Sequence, residues 1–241
     1  MVSEDKLLID IHCHILPGVD DGAVDLEMAL TMARLAHADG ITKIVATPHY
    51  NFSWKIQRDL VLRKTEQLQR EFHRHEIPIT LYAGNEVRLE NIEFIHEALA
   101  NRDFCYLADQ QEFILLEQSW EGYHPDTPDI LTRLNERGTK MIIPHPERHF
   151  FFRENPELLD ELVALGAWTQ VSVDSLIGKN GAEAENFALQ LLSRGSIHTL
   201  ATDAHNTKRR PNLSLGYAIV EQRAGISAAD AIRSRMLTIV P

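Results

Sequence analysis

Short apolar runs alternate along the chain with longer stretches in which apolar residues recur every three or four positions. The short runs are rich in Ile, Val, Leu and Thr, which is typical of buried parallel strands. The longer stretches have the period of helices that bury one face. In Asp25–Asp39, for example, Leu26, Leu30 and Ala33 share one stripe, and Gly40 follows as a helix stop. This alternation predicts strands and helices in regular succession.

The pattern defines seven strand–helix units. The predicted strands are Leu7–His12, Lys43–Thr47, Thr80–Ala83, Glu112–Glu117, Lys140–Pro144, Thr169–Val173 and His198–Thr202. The predicted helices are Asp25–Asp39, Asp59–His75, Asn91–Ala100, Pro128–Arg137, Pro156–Leu165, Ala182–Arg194, Leu213–Arg223 and Ala228–Leu237, the last with Ser227 as its N-cap. Because no long linker interrupts them, we expect one α/β domain over residues 1–241, with a parallel sheet.

Composition and net charge argue against several classes of protein, among them nucleic-acid-binding, disulfide-rich and membrane-spanning proteins. The formal net charge of −11 argues against a nucleic-acid partner, which requires a basic face. Two cysteines are too few for a disulfide framework. No apolar run approaches the roughly 20 residues that span a bilayer, and the N-terminus lacks a basic segment followed by an apolar one. We therefore expect a cytoplasmic protein that neither inserts into a membrane nor binds nucleic acid.

Side chains that can bind metal ions follow six of the seven predicted strands. In a barrel, the carboxyl ends of parallel strands meet at one face, which is where such barrels place their active sites. This convergence favours a closed or nearly closed barrel over an open doubly wound sheet. The candidate metal ligands are His12, His14, Asp21, His49, Glu86, Glu117, His145, Asp203 and His205.

The spacing of His12 and His14 fits joint metal binding only because they end a strand. Residues i and i+2 share one face of a strand. His73 and His75 have the same spacing, but they lie in a predicted helix, where the two side chains point about 200° apart. We therefore interpret that second pair as solvated. Cys13 points away from its histidine neighbours, so we interpret it as a packing residue and not as a nucleophile.

Nine candidate ligands exceed what one ion can use, so a site of two or three ions is expected. Mixed imidazole and carboxylate ligands suit Zn, Mn, Fe or Ni. Neighbouring ions can activate water and hold the oxygens of an in-line displacement at phosphorus. Arg148 and Arg210 follow two of the candidate histidines by three and five residues, and arginine suits two-point binding of phosphate oxygens. The pattern indicates phosphate ester hydrolysis.

Four segments together resemble the polymerase and histidinol phosphatase (PHP) superfamily. They are Asp10–Gly22, Ala46–His49, Ile143–Arg148 and Thr202–Asn206. Within that superfamily they are most similar to the bacterial manganese-dependent protein-tyrosine phosphatases of capsule and exopolysaccharide operons. The resemblance extends from Leu8 to about Leu215. Gln118-Ser119-Trp120 departs from it, because more apolar residues are expected after the glutamate of the fourth strand.

The resemblance implies a distorted TIM-like (β/α)7 barrel of the PHP type with three divalent ions. Mn²⁺ is the favoured metal, with Fe and Zn as alternatives. The implied ligands are His12, His14, Glu86 and Asp203 for the first ion, Glu86, Glu117 and His145 for the second, and Asp21, His49 and His205 for the third. Arg148 and Arg210 match the arginines that bind the phosphate.

The activity implied by the resemblance is that of a protein-tyrosine phosphatase, a phosphoric monoester hydrolase in which a metal-bound hydroxide attacks phosphorus in line. The implied substrate is the phosphorylated tail of an autophosphorylating bacterial tyrosine kinase of exopolysaccharide synthesis. One alternative is a histidinol-phosphate phosphatase or another small-molecule phosphomonoesterase. Another is a PHP-type nuclease or phosphodiesterase, and a third is a metal-dependent interaction domain without activity.

Overall fold

The computed structural model describes residues 8–241, so the predicted first strand can be compared only from Leu8 onward. The described part contains nine β-segments and ten α-helices. The strands are β1 (Leu8–Cys13), β2 (Ile41–Ala46), β3 (His49–Tyr50), β4 (Thr80–Ala83), β5 (Glu86–Arg88), β6 (Phe113–Glu117), β7 (Lys140–Pro144), β8 (Trp168–Ser172) and β9 (Thr199–Ala201). The helices are α1 (Leu26–Ala38), α2 (Arg58–Arg74), α3 (Ile92–Asn101), α4 (Thr127–Glu136), α5 (Phe150–Glu154), α6 (Pro156–Ala164), α7 (Val173–Leu176), α8 (Ala182–Ser193), α9 (Leu213–Ala224) and α10 (Ile226–Ile239).

The nine β-segments make seven barrel strands. One parallel sheet has the order β1-β2-β4 and the other β3-β5-β6-β7-β8-β9. Only Thr47 and Pro48 separate β2 from β3, and only Gly84 and Asn85 separate β4 from β5. Since β2 pairs with β4 and β3 pairs with β5, the segments β2 and β3 form one long strand with a short break, and β4 and β5 form another. The second and third barrel strands therefore continue from one sheet into the other.

The buried side chain of Asn85, in the second of these breaks, satisfies backbone groups of the first break and of two neighbouring segments. Its Nδ2 donates to the carbonyl oxygens of Pro48 at 2.9 Å and Ile56 at 3.1 Å. Its Oδ1 accepts from the backbone N of Cys105 at 2.8 Å. A buried polar backbone without partners would be costly, so this amide allows the strands to break just before they deliver side chains to the barrel mouth.

The last strand closes onto the first. The backbone N of His14 donates to the carbonyl oxygen of Ala204 at 2.8 Å, and the N of Asp203 donates to that of His12 at 2.9 Å. All strand pairings are parallel. Helices α1, α2, α4 and α10 contact the strands from outside. The predicted distorted barrel of seven parallel strands is confirmed.

Seven predicted strands and eight predicted helices are present, with ends that differ by one or two residues at most positions. The short segments β3, β5, α5 and α7 are missed, because two to five residues are too few to show a period. The prediction of Ser227 as an N-cap is wrong. Helix α10 begins at Ile226, and its N-cap is Gly225 at φ +88°, a backbone conformation that glycine adopts without strain.

Between Leu8 and Pro241, no helix is both long enough and apolar enough to cross a membrane.

Asp10 joins the first and last barrel strands from within the core. Its buried carboxylate accepts from the backbone N of Thr202 at 3.0 Å, from the Thr202 hydroxyl, and from the backbone N of His12 at 3.3 Å. Burial outweighs these hydrogen bonds and raises the pKa of Asp10 to about 6. Asp10 therefore stabilises the seam of the barrel through its hydrogen bonds, whereas burial disfavours its negative charge.

We predict that Asp10→Ala lowers the free energy of unfolding of the metal-free protein by about 1–3 kcal/mol, because Thr202 loses its buried acceptor. Urea unfolding at neutral pH measures the change. Asp160→Ala, at an exposed position of α6, is the matched control and should stay within about 0.5 kcal/mol of wild type. Equal stabilities of the two variants would contradict the role given to Asp10.

Candidate active site

The nine candidate ligands all lie at the carboxyl end of the barrel, around one pocket of about 170 Å³. Groups of three or four of them bring their ligand atoms within 4.8 Å of one another. His12 and His14 are fully buried at the base, whereas Asp21 lies at the opening with 53% of its side chain exposed. The structure thus brings together every residue that the sequence predicts as a metal ligand.

Glu86 lies at the centre of this cluster. Its Oε1 is 2.9 Å from Nε2 of His145 and 3.4 Å from Nε2 of His12. Its Oε2 is 2.9 Å from Nδ1 of His49 and 3.4 Å from Nε2 of His14. One carboxylate therefore contacts four histidines that come from the ends of three different barrel strands, as a bridging ligand would.

The charges of the cluster are strongly coupled. Although burial opposes it, the His12 and His49 imidazoles hold the pKa of Glu86 well below its usual range. Burial, together with repulsion from Glu86, raises the pKa of Glu117 well above its usual range. Burial also disfavours a charged His12, but the carboxylates of Glu86 and Asp203 outweigh it and raise its pKa to about 9. Two buried carboxylates that repel each other are an environment that cations stabilise.

Neighbouring acceptors fix the orientation of three histidine rings. Nδ1 of His12 donates to Oε1 of Gln170 at 2.8 Å, and Nδ1 of His14 donates to Oδ2 of Asp20 at 2.8 Å. Nδ1 of His205 donates to the backbone oxygen of Asp203 at 2.9 Å. In each ring Nε2 is then the nitrogen that faces the carboxylates of the cluster. Such partners are typical of histidines that bind metal ions.

Local backbone geometry also serves the site. His145 has φ +34° and Asp203 has φ +51°, in the left-handed region that side chains other than glycine rarely adopt. Strain of this kind concentrates at functional sites. Gly22 is required for close approach, because a Cβ at this position would lie 2.1 Å from the backbone oxygen of His14. The loop after β1 therefore packs directly on a ligand.

The groupings in the structure agree in part with the three implied ligand sets. Asp21, His49 and His205 form one group, which also includes His14. The implied first set is divided between a group of His12, His14 and Glu86 and a group of His12, His145 and Asp203. Glu117 appears with His49 and Glu86, and again with His145 and His149. The donors are shared among adjacent positions, as a multinuclear site requires.

Several polar atoms of the cluster fit a metal ion better than they fit the protein alone. Oε2 of Glu117 and both ring nitrogens of His149 are buried without a hydrogen-bond partner among residues 8–241. Burial, with His145 and Arg148 nearby, lowers the pKa of His149 to about 2, so its ring is neutral. Neutral imidazole and carboxylate are ligands for divalent transition-metal ions. The residues present therefore fit such ions.

Two arginines face Asp203 from the pocket wall. Nη1 of Arg148 donates to Oδ2 of Asp203 at 2.7 Å, and Nη2 of Arg209 donates to the same oxygen at 2.6 Å. Oδ1 of Asp203 lies 3.3 Å from Nε2 of His12. Arg210, which the sequence predicts as a phosphate ligand, is exposed and is not among the residues that line the pocket. The structure places Arg209 there.

Sequence reasoning missed or set aside five residues of the site. Gln170 is a fully buried amide in β8, where Thr169 and Ser172 are also buried, so polarity alone does not single it out from the sequence. Asp20 is adjacent to Asp21, and Arg209 is adjacent to Arg210. Spacing alone therefore does not show which aspartate or which arginine of each pair belongs to the site. His149 follows Arg148 directly and is not among the predicted ligands, yet it lies beside Glu117 and His145. Trp120, in the segment that departs from the family pattern, lines the pocket.

Cys13 has the packing environment that the sequence indicates. Its side chain is fully buried in the hydrophobic core, and its Sγ lies 3.7 Å from the backbone oxygen of Ala204. Burial raises the pKa of this thiol well above its usual range. A thiolate nucleophile needs the opposite shift.

A model of the family described as capsular polysaccharide synthesis, CpsB/CapC, matches residues 8–236. The tyrosine-protein phosphatase YwqE of Bacillus subtilis is 38% identical over 204 residues, which cover 84% of this chain and 79% of YwqE. The putative tyrosine-protein phosphatase CapC of Staphylococcus aureus is 30% identical, over 85% of this chain and 79% of its own.

The comparison of structures agrees with that of sequences. A solved chain from the structures of YwqE of Bacillus subtilis and CpsB of Streptococcus pneumoniae, described as unique metal-dependent tyrosine phosphatases, superposes with a TM-score of 0.92. It is 34% identical, and the match covers 97% of this chain and 94% of that one. A lactonase of Listeria monocytogenes, 13% identical with a TM-score of 0.55 over 99% of this chain and 96% of its own, shares the fold alone.

We predict that Glu86→Gln lowers the number of Mn²⁺ ions bound per chain by more than one, because it removes charge from a carboxylate that contacts four histidines. Equilibrium dialysis with metal analysis measures the stoichiometry. Glu90→Gln is the control, since Glu90 contacts Arg88 and the backbone of Phe52 instead of the cluster. Wild-type stoichiometry in Glu86→Gln would contradict its central position.

Proposed function

This chain belongs to the capsular polysaccharide synthesis family CpsB/CapC, and we propose that it is a metal-dependent tyrosine-protein phosphatase. The observation that carries the proposal is one pocket lined by Arg148 and by seven of the nine candidate metal ligands, with His12 and His14 buried at its base. Relatives named tyrosine-protein phosphatases at 38% and 24% identity support it.

We propose that three divalent ions occupy the cluster and that Mn²⁺ is the physiological metal. His12, His14, Glu86 and Asp203 would hold the first ion, Glu86, Glu117 and His145 the second, and Asp21, His49 and His205 the third. The ions supply a water of lowered pKa and positive charge toward the phosphate oxygens. His149, close to Glu117 and His145, would be an additional donor to that second ion.

The protein itself positions the phosphate and balances its charge. Arg148 and Arg209 point their guanidinium groups into the pocket while Asp203 holds both in place. Fixed N–H donors of this kind stabilise the equatorial oxygens of a phosphoryl group as charge develops. The leaving phenolate has a pKa of about 10 in water, so a dedicated general acid is not required. Binding of the leaving group then depends on the residues at the rim.

We propose a phosphotyrosine protein as the substrate, namely the tail of an autophosphorylating tyrosine kinase of exopolysaccharide synthesis, in the cytoplasm. A small phosphate ester such as histidinol phosphate is the first competing substrate, since the same donors would act on any phosphomonoester. A single-stranded nucleic acid is the second, and the net charge of −11 disfavours it.

We predict that the metal-stripped protein hydrolyses p-nitrophenyl phosphate and a phosphotyrosine peptide only after Mn²⁺ is added, and that a chelator abolishes both activities. His145→Ala should lower kcat at least about a hundredfold, because a ligand beside Glu86 and Glu117 is lost. His37→Ala, at an exposed position of α1, is the control and should match wild type.

Comparison of kcat/KM for the phosphotyrosine peptide, histidinol phosphate and single-stranded DNA decides between the candidate substrates. A preference for the peptide supports the proposal, whereas a preference for histidinol phosphate or DNA would replace it with the corresponding alternative. Absence of phosphate release with every metal tested would leave only the non-enzymatic interaction domain.

We predict that Arg148→Ala lowers kcat/KM for p-nitrophenyl phosphate about a hundredfold or more, since one fixed donor to the phosphate is lost. Arg209→Ala and Arg210→Ala decide which of the adjacent arginines acts with it. The contacts of Arg209 with Asp203 predict the larger loss in Arg209→Ala. A larger loss in Arg210→Ala would instead support the assignment made by resemblance.

A further inference from the structure

Three cavities follow one another from the metal cluster outward. The first, of about 170 Å³, contains the cluster and has Trp120 and Arg148 on its wall. The second, of about 460 Å³, shares these two residues with the first and continues along the start of α8. The third, of about 290 Å³, shares Arg153 and Glu183 with the second and lies between α5 and α8. We name the second and third cavities together the outer track.

Trp120 stands where the first cavity opens into the outer track. Its side chain is 39% exposed, so part of the indole is accessible. The ring stacks on His149, with centroids 4.4 Å apart, and Cζ of Arg148 lies 5.1 Å from its centroid. A phosphate held at Arg148 therefore lies next to an accessible aromatic surface, which is where the ring of a phosphotyrosine must emerge. Stacking on such a surface favours aromatic ligands.

Arg153 and Glu183 form the boundary between the second and third cavities. Nη2 of Arg153 lies 3.2 Å from Oε2 of Glu183, and Nη1 donates to the backbone oxygens of Glu147 and Arg148 at 3.2 and 2.7 Å. These contacts tie the outer track to the segment that carries Arg148. At the far end Phe150 is 44% exposed, although it is a large apolar side chain.

We propose that Trp120 stacks on the phosphotyrosine ring and that the outer track binds the polypeptide on one side of that residue. This inference rests on the proposed function and specifies how that site selects a protein substrate. The first cavity and the outer track share Trp120 and Arg148 in their walls, so a chain that leaves the metal cluster past Trp120 meets the track next. Paired charges at Arg153 and Glu183 leave its middle nearly neutral, which suits an uncharged backbone.

The extent of the track argues for a polypeptide and against a metabolite. A small phosphate ester fills the first cavity and ends near Trp120. The second and third cavities, about 460 and 290 Å³, would then contribute nothing to its binding. Interactions with remote parts of a longer substrate can instead raise kcat/KM, because that binding energy positions the reacting group.

The test compares p-nitrophenyl phosphate with phosphotyrosine peptides extended on the N-terminal side, the C-terminal side or both. Ala182→Trp and Asn186→Trp fill the second and third cavities at exposed positions of α8. Ala224→Trp, at an exposed position of α9 that lines neither cavity, is the matched control. Each variant is assayed with Mn²⁺, and circular dichroism verifies that it folds.

We expect extension on one side of the phosphotyrosine to raise kcat/KM in wild type. For each variant we compare kcat/KM for the extended peptide with kcat/KM for p-nitrophenyl phosphate. We expect Ala182→Trp and Asn186→Trp to lower this ratio about tenfold, which corresponds to about 1.4 kcal/mol of transition-state binding. Trp120→Ala should raise KM for both aryl phosphates more than KM for phosphoserine, and Trp120→Phe should restore most of the loss.

Unchanged ratios in both α8 variants, or no gain on either extension, would overturn the outer track while hydrolysis of phosphotyrosine still supported the proposed function. Equal effects of Trp120→Ala on aryl and alkyl phosphates would overturn the stacking. Absence of hydrolysis of every phosphotyrosine substrate by wild type would overturn the proposed function and, with it, this inference.

Discussion

The structure depends on a constraint at the barrel mouth, where Glu86 and Glu117 are buried close to the same ring of histidines. Burial of carboxylates is costly unless positive charge accompanies them. Among the described residues that charge comes from protonated histidines and from Arg88, 4.0 Å from Glu117, yet the pKa of Glu117 stays raised while that of Glu86 is held low. Divalent ions resolve the conflict for both carboxylates, so we infer that the mouth is organised to bind them.

The barrel meets this constraint by delivering the donors from six different strand ends. Breaks in the second and third barrel strands allow His49 and Glu86 to turn into the mouth, while Asn85 satisfies the backbone at the break. Closure of the last strand on the first brings Asp203 to His12. Gln170 and Asp20 then fix the histidine rings. The site is therefore a product of the closed topology, because no single segment carries enough ligands for one ion.

Much of this architecture could be predicted from the sequence. Strand-length apolar runs locate the seven barrel strands, and metal-ligand side chains after six of them identify the mouth. The rest depends on contacts that a pattern does not contain. Neighbouring arginines at 209 and 210 are equivalent in spacing, and only the turn after Asp203 selects Arg209. A two-residue strand such as β3 has no period, and the burial of His149 beside Glu117 follows from packing against Trp120.

The same contacts link recognition to chemistry. Arg148 touches Asp203 on one side and lies beside Trp120 on the other, so the group that would hold the phosphate also adjoins the surface where the substrate leaves the pocket. Substitutions among the rim residues would change which substrate binds without altering the candidate metal ligands. Trp120 lies at that rim, and residues at such a position can set the substrate while the fold and the ligands stay the same.

The central claim is that these side chains form one multinuclear metal site that binds phosphate. Anomalous X-ray diffraction at the manganese edge, from crystals grown with Mn²⁺ and phosphate, tests it most directly. The account predicts three anomalous peaks around Glu86, with phosphate between them and Arg148. A single peak, or peaks away from Glu86, would contradict it.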